Sequence, residues 1–324
     1  MAVDGRASAA GEVSAVKHRR SSPFRRREAL EGYLLAMPAI LGLLIFTLGP
    51  ILYTFYLSFT EYNLVRSPEW IGLANYREML FEDRFFWPTV RITMYYSLLS
   101  IPSTIVVSFL VAMLLNTKVA GIAFFRTIWY LPALVPAAAG AALWRWIMND
   151  HFGLINNALM DLNFDPIGWL TDPRYTVISL AIIALWGGIG GTMLIFLAGL
   201  QGVPQSLYEA AELDGAGWWR RLMNITIPLM SPIIFFNLIL GIIGSFQAFA
   251  TVYLIFTPGG GAGEVGPSNS AMLYLVYLYR NTFNYFRVGY GAALAWVLFL
   301  IIVTITIIMF LLQRKWVFYE TEGR

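Results

Sequence analysis

Residues 200–232 read LQGVPQSLYEAAELDGAGWWRRLMNITIPLMSP, a polar interruption between two long apolar runs. Pro204 and Ser206 start a helix here. Leu207, Ala210, Ala211 and Ala216 give it an apolar side, and Glu209, Glu212 and Asp214 an acidic one. Gly215 and Gly217 break it. Trp218-Trp219-Arg220-Arg221 begin a second short helix that runs to Pro228. Two readings suit such an elbow. It docks onto a partner, because small alanines let another surface come close. Or it is an amphipathic interfacial pair that merely joins two spans.

The 324 residues are 58% hydrophobic and 13% charged, with mean hydropathy +0.64. Soluble chains carry about a quarter charged residues, so this is an integral membrane protein. The expected class is all-α. There is no cysteine, which excludes disulfides and thiol–metal sites. His18 and His151 lack the Cys or His neighbours that a metal site needs. A net charge of +3 is too small to point to nucleic acid.

Residues 1–32 are rich in Ala, Ser and Gly and hold seven basic side chains, so they read as a disordered basic tail at a membrane surface. Six apolar runs follow, near 33–59, 92–116, 124–148, 176–200, 230–256 and 288–312. Each reaches the roughly 20 residues needed to cross a bilayer. The first is too long in its apolar part for a cleaved signal peptide. Pro38, Pro50, Pro102, Pro132 and Pro136 fall inside helical runs, where neighbouring helices satisfy the freed backbone groups. With the N-terminus inside, 14 Lys and Arg lie on the cytoplasmic side and 7 outside. That bias predicts both termini in the cytoplasm, residues 321–324 included, and puts the 201–229 loop inside.

The elbow also resembles a known motif. Glu209-Ala210-Ala211, Gly215 and Ile225-Thr226-Ile227-Pro228 are similar to the EAA loop of bacterial ABC importer permeases. The family favours Leu at Ile227. The resemblance implies a coupling helix that fits a cleft on a separate ATPase, with Glu209, Ala210, Ala211, Asp214, Gly215 and Pro228 at the joint. Other stretches look like the carbohydrate branch: WIGLANY at 70–76, Phe125-Arg126-Thr127, Leu131-Pro132, Trp144-Arg145-Trp146 and Gly153-Leu154-Ile155-Asn156. Thr257 to Gly261, Tyr277-Leu278-Tyr279 and Gly289-Tyr290-Gly291 resemble the first permease of maltose and glycerol-3-phosphate systems, in six-span form. The insertion Gly259 to Pro267 departs from that family's single Gly-Gly-Pro turn. The resemblance covers 33–320. It implies an inner-membrane permease working with a second permease, an ATPase dimer and an extracytoplasmic solute-binding protein.

None of the six runs contains Asp or Glu, which argues against coupling to protons or sodium. The chain has no G-x-x-x-x-G-K-[ST] loop, so it binds no ATP in that way. No constellation suggests catalysis or a cofactor, so the chain is not expected to be an enzyme. The expected substrate path has two parts. Trp186, Gly187, Gly188 and Gly191 lie mid-span, where glycines either pack helices closely or open a cavity wall. Ser245, Gln247, Phe249 and Tyr253 pair polar groups with aromatic rings, as the two faces of a sugar require. For Gln247 an interhelical hydrogen bond is the alternative. A permease for another solute, an ion-coupled carrier and a membrane scaffold stay open as alternatives.

Overall fold

The thirty residues Phe86–Leu115 hold one charge, Arg91, and one interior proline, Pro102. In lipid such a run can satisfy its backbone only within its own helix. The computed structural model describes residues 23–117, 119–257 and 263–318. Helix α1, Pro23–Leu43, passes through a π turn at Leu44–Leu48 into α2, Gly49–Leu57. Strands β1, Thr60–Glu61, and β2, Glu69–Trp70, pair antiparallel with Thr60 opposite Trp70. Then come α3, Ala74–Arg77; α4, Phe86–Leu115; α5, Ile122–Tyr130; α6, Ala137–Ile147; and α7, Leu154–Asp161. The second half holds α8, Pro173–Gly202; α9, Gln205–Leu213; α10, Trp218–Arg221; and α11, Ile227–Phe246. It ends with α12, Ala250–Phe256; α13, Tyr274–Tyr279; and α14, Val288–Gln313. The chain divides after Thr54: one unit is the first helix up to that residue, the other everything from Phe55.

Among the described residues five helices are long and apolar enough to cross a membrane: Leu30–Leu57, Phe86–Leu115, Pro173–Gly202, Trp218–Phe256 and Val288–Gln313. A sixth span exists only as a broken pair. Ile122–Leu134 and Ala137–Ile147 meet at 96°. The all-α, six-span expectation therefore stands with the third span sharply bent. Sequence reading placed one run at 124–148. Its break has a local cause: Val135 precedes Pro136 and is forced extended, with ψ 123°, and Pro136 follows at ψ 141°.

Three boundaries shift. Residues 23–32, expected in the disordered tail, are helical. The fifth span starts at Trp218 rather than 230, because α10 runs through a π turn at Leu222–Thr226 straight into α11. The expected second short helix ending at Pro228 is thus the base of the span, and the 201–229 loop is shorter than read. The same span breaks at 247–249, where Phe249 has φ −138°. Residues 1–22, Lys118, 258–262 and 319–324 lie outside the description, and with them most of the basic tail, the start of the glycine-rich insertion and the 321–324 terminus.

The second unit packs around α4, α8 and α11. Glycines decide the closest approaches. A Cβ on Gly190 would sit 2.8 Å from the Tyr130 backbone. One on Gly199 would meet Ile233 at 2.1 Å, and one on Gly241 would meet Ile101 at 3.0 Å. Ser108 of α4 donates to the Ile189 carbonyl of α8 at 3.3 Å. Tyr274 is fully buried; its N–H donates to Thr93 Oγ1 and its hydroxyl to the Leu294 carbonyl, both at 2.9 Å. Asn75, within WIGLANY, donates to the carbonyls of Ser58 and Thr60 at 3.0 Å each. Against that β1 turn lies Gly289, whose N–H reaches the Tyr62 carbonyl at 3.2 Å.

Candidate functional site: an elbow and a mid-span cavity

Pro204 sits at the N-cap of α9, and the helix stops in a defined way. Gly215 has φ +72°. The Ala216 N–H donates to the Ala211 carbonyl at 2.8 Å and the Gly215 N–H to the Glu212 carbonyl at 3.0 Å. That pair of bonds is a Schellman stop, whose left-handed residue favours glycine. No atom lies within 4 Å of a Cβ built on Gly215, so backbone conformation and not space requires it. Glu209, Ala210, Asp214 and Gly215 are exposed and Ala211 is half-buried. Pro228 is half-buried within α11 and is separated from them as part of the span. Leu213 is 91% exposed and Leu207 42%.

Two contacts brace α9 against the base of the fifth span. The Tyr208 hydroxyl lies 2.9 Å from Thr226 Oγ1. Arg221 lies 3.4 Å from Glu212. Sequence reading missed Tyr208 and Thr226 as a pair; both stand inside the quoted stretch, but their meeting depends on the angle of the elbow.

The second feature is a cavity of about 470 Å³ between α4, α8 and α11, with Ala133 of the broken span at its edge. Gly187, Gly188, Gly191 and Ser245 line it, so four of the eight expected path residues come together. The helix stays α-helical through the glycines rather than unwinding. Gly187 and Gly191 have nothing within 4 Å of a built Cβ and open the wall, while Gly188 packs on Thr104 at 3.2 Å. The helix-packing glycine is Gly190. Tyr96, Ser100, Thr104, Thr192 and Asn237 add polar groups that sequence reading did not assign. The Asn237 amide already donates to the Ile233 carbonyl at 2.9 Å.

The other four expected residues lie elsewhere. Trp186 meets Trp144 edge-on at 5.7 Å. Gln247 is exposed at the end of α11. Phe249 and Tyr253 stack at 5.1 Å and close on Tyr279 at 4.8 and 5.0 Å.

A polar cluster gathers at the N-terminal ends of α4 and α14. Asp83 accepts from both Tyr277 and Tyr290. Arg287 binds Glu78 through both carboxylate oxygens at 2.6 Å and lies 4.3 Å over the Tyr290 ring. Burial pushes the Tyr277 hydroxyl above its ordinary value, and Asp83 adds to the shift. Tyr277 is therefore a fixed donor at neutral pH. Among the described residues no group of three or more His, Asp or Glu could hold a metal ion.

Residues 80–317 match the family described as binding-protein-dependent transport system inner membrane component. The chain is 38% identical over 299 residues to the probable ABC transporter permease protein YesP of Bacillus subtilis, covering 92% of this chain and 94% of that one. It is 32% identical to the trehalose/maltose transport system permease protein MalF of Thermococcus litoralis, over 89% and 95%. A bacterial ABC transporter involved in import of the acidic polysaccharide alginate shares the fold at TM-score 0.74 and 22% identity, over 90% and 96%. The family is one of transport permeases and not of enzymes. With a match across all but the first span, and relatives aligned over nearly their full length, the chain belongs to the inner-membrane components of binding-protein-dependent transport systems.

Proposed function

We propose that this chain is one of two unlike permease subunits of an ATP-driven importer for a carbohydrate or polyol. The partners are an ATPase dimer, a second permease and an extracytoplasmic solute-binding protein. Both termini face the cytoplasm, and α9 is the coupling helix. The observation that carries the reading is the elbow: an exposed helix whose end is fixed by Gly215, presenting Leu213 to solvent. An apolar side chain 91% exposed on a rigid turn suits a partner's cleft.

The substrate class rests on two supports. Near-full-length relatives are named as transport permeases for trehalose and maltose, for lactose and for arabinooligosaccharides. The cavity offers hydroxyl and amide groups beside bare glycine backbone. Phe249 and Tyr253 would meet sugar on the way to it, and Gln247 would add a polar contact. No Asp or Glu occurs in the five later candidate spans, which disfavours an ion-coupled carrier.

Affinity purification of the tagged chain from native membranes tests the assembly. An ATPase and a second permease should come with it. Gly215→Val should cost about 1–2 kcal/mol through its left-handed conformation and uncouple hydrolysis from uptake. Gly215→Asn should keep coupling, because Asn tolerates that conformation. Gly187→Leu should lower sugar uptake in proteoliposomes with little loss of stability, because its Cβ has no atom within 4 Å and the rest of the side chain extends into open cavity. Full uptake by Gly187→Leu would remove this cavity from the path. Uptake that persists without the ATPase but collapses with an ion gradient would overturn the importer reading.

A further inference from the structure

The elbow joins two spans, yet its braces run to one of them. From α9 the chain enters α8 through Gly202, Val203 and Pro204, and α10 through Asp214 to Gly217. Both cross-contacts given above end on residues 221–226. The Glu212–Arg221 pair is weak, because Glu212 is 73% exposed and water screens it. The Tyr208–Thr226 bond is different. Thr226 is 6% exposed and Tyr208 half-buried. Thr226 Oγ1 also reaches the Arg221 carbonyl at 3.4 Å, an interaction in which it must donate. Either hydroxyl can be the donor in its 2.9 Å bond with Tyr208.

Thr226 is the last residue of the π turn Leu222–Thr226. Single π turns inside α-helices recur at functional sites. Beyond it α11 runs to Phe246 and carries Asn237, Leu240, Gly241, Gly244 and Ser245 to the cavity. Pro232 would weaken this rod, because it has no N–H for the Pro228 carbonyl. Ser231 supplies the missing donor, its hydroxyl bonding that carbonyl at 2.6 Å. The carbonyl that Pro232 leaves open is thus mended from within the helix. From Thr226 to Ser245 it spans roughly 28 Å.

We infer that the Tyr208–Thr226 hydrogen bond is the strut that carries movement of α9 into the fifth span and on to the cavity. Tyr208 and Thr226 are positioning residues, and α8 follows passively through its Gly-Val-Pro link. The inference rests on α9 being the coupling helix.

The test uses the complete importer in proteoliposomes with its loaded binding protein. Sugar taken up per ATP hydrolysed is read beside basal hydrolysis and co-purification of the ATPase. Tyr208→Phe and Thr226→Val should each lower the uptake ratio about fivefold, the factor for one lost hydrogen bond. Basal hydrolysis and ATPase binding should hold. The double variant should be no worse than the worse single one, and Thr226→Ser should restore the ratio. An unchanged ratio in both single variants overturns the strut while leaving the importer intact. Loss of the ratio together with loss of ATPase binding also overturns it, because the bond then only shapes α9. A wild-type chain that binds no ATPase overturns both this inference and the proposed function.

Discussion

Gly289→Ala should strongly lower the melting temperature and yield of the folded protein. A Cβ at this position would sit 2.0 Å from the Thr60 carbonyl oxygen, 3.1 Å from its carbon and 3.2 Å from the Tyr62 nitrogen. All three are backbone atoms of the β1 turn, so no side chain can swing aside. That turn is held in turn by Asn75 through the carbonyls of Ser58 and Thr60. Relief therefore means pulling α14 away from β1 and losing the Gly289–Tyr62 bond. Overpacking of this kind costs about 3 kcal/mol, and more where only backbone can yield. Gly187→Ala is the matched control, with no atom within 4 Å. Thermal unfolding in detergent should separate the two variants clearly. Equal melting temperatures would mean that β1 and α14 are not in contact.

Asn156→Leu should be nearly as severe. Asn156 is fully buried and ties together residues 149–169. Its amide nitrogen donates to the carbonyls of Asp150 at 3.1 Å and Ile167 at 2.9 Å, and reaches that of Asn149 at 3.5 Å. Its oxygen accepts from the Ile167 N–H at 3.1 Å and the Trp169 Nε1–H at 2.9 Å. Leucine fills a similar volume but leaves two donors and at least two carbonyls buried without their partner. At about 1–3 kcal/mol for each stranded group, the loss should reach about 4 kcal/mol or more. Asn156→Asp keeps the two accepted bonds but points a second oxygen at carbonyls, so it should also destabilise. Limited proteolysis should open the 149–172 segment first, before α4, α8 and α11 are lost. A protected segment in the leucine variant would show that Asn156 is dispensable.

The sequence carries the spans because lipid leaves a long apolar run no choice but a helix. It carries the elbow because Gly215 sits at the one position where a Schellman stop favours glycine. The bend of the third span is only half legible. Pro132 and Pro136 foretell a break, but neither its 96° angle nor the close approach of Gly190 of α8 to Tyr130 is written in them. The glycine run shows the limit well. Gly187, Gly190 and Gly191 are the same letter, yet one is pressed on backbone and two face open space. No local pattern separates them, because the difference is made by another helix. Asn75 and Asn156 are similar cases: they look like loop polar residues and act as buried ties to backbone many positions away. The aromatic group Phe249, Tyr253 and Tyr279 needs α13 to return over α12, which spacing alone cannot reveal.

The mended proline in the fifth span also sets an order of events during synthesis. Ser231 bonds the Pro228 carbonyl from three residues away, so that repair is complete as soon as the segment emerges. Its oxygen then accepts the Phe318 N–H at 2.9 Å, a partner made 87 residues later. At roughly 5–20 residues per second, several seconds pass before that bond can form. The fifth span therefore enters the bilayer with a local stitch, and its final fastening waits until the sixth helix has been made and packed beside it.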